Sequence, residues 1–220
     1  LVAGYQRGDI NALLYTYQNQ QHKTHQGLRI SYSKNTPSVD IALSTSYISD
    51  LSDSQGMQDT GVTNNYFNGF HTLARDLIHR VSGADITGKI SRGPVSFNSE
   101  FTTALQSFSS QDLSINQHGA KPASIQFETD YTGKYKQHPW LIGVRYGKTW
   151  DALALNLPEQ SLGLVASTSL WKNTKQVIEI SENNDYKTGT SANGGDTGNT
   201  LITGTGKHYL SLTLQGGAYF

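Results

Sequence analysis

HYLSLTLQGGAYF, residues 208–220, alternates without a break. Leu210, Leu212, Leu214, Gly216, Ala218 and Phe220 fall on one side of an extended chain. Tyr209, Ser211, Thr213, Gln215, Gly217 and Tyr219 fall on the other. A period of two with one apolar and one polar side is the signature of a β-strand. Its three leucines ask for an apolar surface on one side, and its hydroxyls and amide ask for a polar one on the other.

Upstream, the same alternation recurs in ten further runs, so strands are predicted over 1–6, 10–18, 27–33, 38–48, 83–91, 95–108, 123–135, 139–150, 162–171, 174–184 and 207–220. The connections alternate in length. Tight turns at Arg7–Asp9, SKNTP, Arg92–Pro94, Lys136–His138 and Lys172–Asn173 are interleaved with the long segments QNQQHKTHQ, 49–82, SSQDLSINQHGAKP, DALALNLPEQS and DYKTGTSANGGDTGNTLITGTG. Outer-membrane barrels have this asymmetry, with short periplasmic turns and longer external loops. A soluble β-sandwich has no reason to keep it.

The strands agree in their faces. In SIQFETDYTGKY, Ile125, Phe127, Tyr131 and Tyr135 oppose Gln126, Glu128, Asp130 and Lys134. In WLIGVRYGKTW, Trp140, Ile142, Val144 and Tyr146 oppose Leu141, Gly143, Arg145 and Gly147. Aromatics gather near strand ends (Tyr135, Trp140, Trp150, Trp171, Tyr219, Phe220), where an interfacial girdle belongs.

Composition narrows the function classes. Charged residues make up 15% of the chain and hydrophobic ones 35%, with 22 Gly, 12 Tyr and no Cys. So many aromatic and β-branched residues argue against disorder. Lys plus Arg and Asp plus Glu are both 17, which leaves no cationic footprint for nucleic acid. No apolar run reaches the length of a transmembrane helix, a test to which β-spanning chains are invisible. If strand 207–220 descends to the periplasm, the first strand starts on the external side. Bacterial barrels have even strand numbers, so eleven strands imply at least one more before residue 1.

Candidate site residues follow from the faces. The lumen side is expected to carry Arg29, Asp40, Lys89, Glu100, Glu128, Asp130, Lys134, Arg145 and Glu179. Neither sign dominates, and a strongly ion-selective pore would show a ladder of one. The mixture suits a polar, neutral or zwitterionic solute. GFHTLARDLIHRVSG (69–83) has an apolar helical stripe and Phe70, His71, Arg75, Asp76 and His79. It reads either as a short helix folded inward to constrict the pore, or as a surface helix or early strand start. His22, His25, His118 and His208 also fall on the external side, but lack ligand spacing, so no metal and no cofactor is expected. No nucleophile–base motif is concentrated, which argues against an enzyme. GTGKH (204–208) fits no phosphate loop, and the Gly-Thr repeats of 188–206 read as a flexible loop.

Several stretches carry a family likeness. WLIGVRYGKTWDALALNLPEQSLGLVAST, NTKQVIEISENNDY, KPASIQFETDY and RGPVSFNSEF resemble the legiobactin-receptor-like siderophore porins of Legionella type and the related iron-uptake outer-membrane proteins of Francisella type. The likeness covers residues 83–220 and is looser over 1–82. Phe220 resembles the C-terminal aromatic that outer-membrane assembly machinery reads, although Ala218 stands where an aromatic is commonest. The resemblance implies iron uptake, as ferric siderophore or ferrous ion, without a large plug domain, and an N-terminal periplasmic extension. It supplies no residue-level binding motif.

The expectation is therefore an all-β, transmembrane, antiparallel outer-membrane β-barrel, the C-terminal eleven or so strands of a larger even-stranded one. It forms a single domain over 1–220, with 49–82 as a long external loop. Its function is expected to be iron uptake, or else general diffusion of small polar solutes. The expected partners are membrane lipid and lipopolysaccharide, the assembly machinery through the closing strand, and a small solute or siderophore. The expected location is the bacterial outer membrane.

Overall fold

The computed structural model describes residues 1–18, 24–51, 80–194 and 201–218. They form β1 (Val2–Arg7), β2 (Ile10–Gln18), β3 (Thr24–Asn35), β4 (Asp40–Ile48), β5 (Gly83–Arg92), β6 (Val95–Ala104), β7 (Leu113–Ile115) and β8 (His118–Gly119). Then come β9 (Ala123–Tyr135), β10 (His138–Trp150), a 3-10 turn at Leu153–Leu155, β11 (Gln160–Thr168), β12 (Thr174–Asn184), β13 (Ser191–Gly194), β14 (Ile202–Thr203) and β15 (His208–Ala218). No helix among the described residues is long and apolar enough to cross a membrane.

Eleven strands make one antiparallel sheet in the order β1-β2-β3-β4-β5-β6-β9-β10-β11-β12-β15. They are the eleven runs of alternating sequence. Among the described residues the sheet is open, with β1 and β15 at its edges. Short turns tie neighbours at one end. Three of them begin on a left-handed residue, Gly8, Gly93 or Lys136, and a fourth ends on one, Asn173, as tight hairpins require.

The register is strongly staggered. One row of paired residues runs Arg7–Ile10–Tyr32–Leu43–Gly88–Ser99–Phe127–Tyr146–Leu162–Glu182–Leu210. It starts at the short-turn end of β1 and finishes near the long-loop end of β15. The strands are therefore tilted against the row, the shear that a sheet needs to curl.

Pairing puts most apolar side chains on one face and most polar ones on the other, with Leu13, Leu141, Val165 and Val177 as exceptions on the polar face. The apolar face carries Leu14, Ile30, Leu43, Ile86, Phe97, Tyr131, Ile142, Leu164, Ile180 and Leu212, all exposed. Leu210, Leu212 and Leu214 keep 73%, 61% and 69% of their surface open. In water, each such side chain forfeits about 1.5–3 kcal/mol that burial would supply. The largest apolar patch on a typical soluble monomer is roughly 300–600 Å², and here the patch runs along a whole eleven-stranded sheet.

The dry core lies elsewhere. Val81, Ala104, Phe108, Leu113, Ala120, Leu153, Ala154, Tyr186 and Ala192 form it, with Leu51, Ile115, Leu155 and Ile202 packed against them. Apart from Ala104 at the end of β6, these residues come from the long connections, which fold into a second small sheet, β14-β13-β7-β8, at the end opposite the short turns. We refer to it as the cap. The β7–β8 turn uses Asn116 and Gln117 with positive φ, and Asn116 exchanges hydrogen bonds with Ser191. Gly119 is required there, because a Cβ would lie 1.9 Å from the Phe108 carbonyl oxygen.

Three sequence expectations are corrected here. The run 95–108 leaves the main sheet after Ala104, because Phe108 finds its apolar partners in the cap. The run 162–171 stops at Thr168, where Thr174 closes a turn onto the Trp171 carbonyl. The 188–206 stretch, expected to be flexible, is built into the cap wherever it is described: Ser191 and Ala192 pair with β14, and Ala192 is buried. Small residues without periodicity conceal such packing in a sequence.

Candidate functional site

The polar face is the candidate site. All nine expected residues, Arg29, Asp40, Lys89, Glu100, Glu128, Asp130, Lys134, Arg145 and Glu179, fall on it by register. Asp85 and Lys175 lie on it too. Both obey the alternation that places Lys89 and Glu179 there, so the same rule would have found them. Phe70, His71, Arg75, Asp76, His79 and Phe220 lie outside the described residues.

The residues do not all converge. Arg29, Lys89, Glu100, Glu128 and Arg145 line one concavity of about 340 Å³, floored by Ser31, Ser44, Thr87 and Asn98. A smaller one, about 190 Å³, shares Glu128 and Arg145 and adds Lys175 and Glu179. Asp40 and Lys134 stand apart from both, toward the short turns.

Arg145 pairs across the ladder with Gly163, and its guanidinium forms an ion pair with Glu179 on the strand beyond. Asp130 behaves differently from the others. It is only 6% exposed, and its carboxylate accepts from Ser96 Oγ at 3.3 Å and Asn98 Nδ2 at 3.2 Å. Its other oxygen lies over Gly143, where a Cβ would approach to 2.4 Å. Asp130 therefore links β9 to β6 and packs against β10. Arg29 and Lys89 make no ion pair among the described residues.

The remaining wall is hydroxyl-rich. Ser44 and Thr87 hydroxyls lie 2.7 Å apart, Ser181 and Ser211 hydroxyls 2.6 Å apart, and Asn183 Nδ2 donates to Ser211 at 3.2 Å. Such a surface can solvate a polar solute and offers it both signs of charge. No group of three His, Cys, Asp or Glu among the described residues could hold a metal ion. His25 is buried, 3.8 Å from Asp50, and its ring stacks on Tyr17.

Tyr186 and Asp185 are among the residues that tie the cap to the sheet. The Tyr186 hydroxyl lies 2.7 Å from Thr149 Oγ1 and accepts from the Ala152 N–H at 3.0 Å, joining three segments; burial pushes its pKa up. Asp185 accepts from the N–H and hydroxyl of Thr205 and from the Tyr186 N–H. Partial burial pulls the Asp185 pKa upward, but these donors together outweigh it and hold it below the ordinary value. A carboxylate with a lowered folded pKa adds stability above its unfolded pKa, and that stability is lost as pH falls through the folded one. Amide exchange at Thr205 is therefore expected to accelerate only below the ordinary aspartate range. In Asp185→Asn the same amide should be less protected at neutral pH and indifferent to acid.

Comparison with known proteins gives relatives whose names state no activity. No family model and no solved structure matches the chain. Over 180 residues, 79% of the chain and 34% of each relative, it is 36% identical to the UPF0422 proteins lpg2959 and lpl2888 of Legionella pneumophila strains Philadelphia 1 and Lens. Along its whole length the chain is 31% identical to the UPF0422 protein of Coxiella burnetii and spans about half of it, 48%.

Proposed function

We propose that the chain is part of the wall of an outer-membrane β-barrel, and that its polar face lines an uptake channel or receptor for iron, carried as a ferric siderophore or as ferrous ion. One observation carries the membrane reading: the apolar face of the sheet is bare along all eleven strands, while the dry core of the described residues sits in the cap. A bilayer supplies the missing apolar layer. It also demands that every backbone group be paired within the wall, which an antiparallel sheet closed on itself provides. The staggered register favours closure, since a barrel requires tilt and shear. In this orientation the short turns face the periplasm, the cap faces outward, and β15 is the strand offered to the assembly machinery.

Iron as the cargo rests on the likeness of residues 83–220 to siderophore porins. The wall is compatible with it, because a bulky chelate is polar and carries both charge and hydroxyl groups. A general diffusion porin is the second reading, and the ion-paired Arg145–Glu179 wall favours it by offering no net charge to select on. Swelling of protein-loaded liposomes separates the two. Dedicated uptake predicts that a ferric siderophore enters faster than a neutral sugar of similar size, and equal rates would remove it.

Charge on the wall is also expected to set ion preference. Replacing Glu128 and Glu179 by Gln removes two negative charges and frees Arg145. The chloride-to-potassium permeability ratio, read from reversal potentials, should rise by roughly two- to tenfold. Replacing Arg29 and Lys89 by Gln should move it the other way.

A further inference from the structure

The two ends of the sheet differ in charge on the apolar face. At the short-turn end, that face finishes in Arg7, Lys34 and Arg92, each paired in register with an apolar residue: Ile10, Ile41 and Val95. Lys136 and Lys172 sit in the adjoining turns, and all five cations are exposed. None is in an ion pair among the described residues. Of the two acids at this end, Asp40 pairs with Asn35 and Ser91 on the polar face, and Asp9 lies in the first turn. At the long-loop end the same face finishes in Lys148, Glu182 and His208, and the adjoining connections carry Lys121, Lys187 and Lys207 beside Asp151, Glu159 and Asp185, so neither sign dominates. Exposed aromatics accompany the cations: Tyr5, Trp171 and Tyr135, whose ring lies 5.6 Å from the Lys136 ammonium.

We propose that this outward rim of Arg7, Lys34, Arg92, Lys136 and Lys172 docks the headgroups of anionic phospholipid in the leaflet on the short-turn side. The inference rests on the membrane-wall reading. Long cationic side chains at the border of an apolar band place their stems on the acyl region and their charge among the phosphates. Aromatic rings settle at the same depth. A rim of one sign, continuous with a bare apolar surface, matches a phosphate layer in both charge and position, and the neutral rim at the other end does not.

Native mass spectrometry of the folded protein in micelles, offered equal amounts of phosphatidylglycerol and phosphatidylcholine with the same acyl chains, reads the preference. The wild type should retain phosphatidylglycerol over phosphatidylcholine by roughly tenfold. Rising salt should weaken that preference as screening shortens to about 8 Å at physiological ionic strength. The variant R7Q/K34Q/R92Q/K136Q/K172Q should fall to near parity, while R7K/R92K keeps the wild-type preference and shows that charge, not a particular side chain, is read. K121Q/K187Q/K207Q, at the opposite end, should also keep it. A wild type that inserts into vesicles yet retains the two lipids equally would overturn the proposal, as would a glutamine variant that inserts and keeps the preference. A wild type that enters vesicles of neither lipid would instead remove the membrane reading, and this inference with it.

Discussion

Arginine at Leu164 is expected to cost about 2–4 kcal/mol of folding stability in a bilayer, as a cation does on the lipid face near the midplane of a barrel. Leu164 stands in the centre of β11, between Val144 on β10 and Ile180 on β12, and all three are exposed on the apolar face. In a bilayer the guanidinium would have only acyl chains around it. Gln126→Arg supplies the control. Gln126 is exposed on the polar face, in the row that also holds Glu100, and an extra cation there should change stability by no more than about 0.5 kcal/mol. Urea titrations of both variants folded into vesicles read the contrast. If the apolar face met water, Leu164→Arg would be as harmless as Gln126→Arg, and equal midpoints would exclude a lipid-facing sheet.

Leu113→Ala is expected to open the cap while leaving the main sheet intact. Leu113 is 0% exposed, and its neighbours come from several long connections. Removing its side chain leaves a void costing about 2–5 kcal/mol, since a site pinned by several segments collapses poorly. The loss should be local, because the cap has its own small core and the eleven strands have their own hydrogen-bonded ladder. Hydrogen exchange should show faster amides at Phe108 and Ala120, whose N–H groups donate to the Ala120 and Leu113 carbonyls, with no change in β9 and β10. Loss of protection in the strands as well would mean that cap and sheet fold as one cooperative unit. In the channel reading, the same variant should alter access from the external side without altering the wall.

The faces of this protein were legible because alternation is a local property. A residue's side in a strand depends only on parity once the strand is known, so Lys89, Glu100, Glu128 and Arg145 could be assigned to one surface before any pairing was known. Asp85 and Lys175 were equally legible, though absent from the expected set. What parity cannot supply is the register between strands. That Arg145 reaches past Gly163 to Glu179, or that Asp130 lies over Gly143 and is buried among Ser96 and Asn98, depends on how far each strand slides along its neighbour. The cap was illegible for another reason: Ala120 and Ala192 are small, isolated in sequence and set among polar residues, so nothing periodic announces that they share a core.

HYLSLTLQGGAYF thus marks the division. Its alternation alone fixed the strand, its two faces and their chemistry, because those follow from extended backbone geometry. The sequence likewise carried the eleven strands and the rhythm of their connections. Only the tertiary structure decided that Leu210, Leu212 and Leu214 remain bare, that the dry core belongs to the loops, and that the wall charges pair as they do. Each of these depends on contacts between segments far apart in the chain, and those contacts exist only once register and tilt are set.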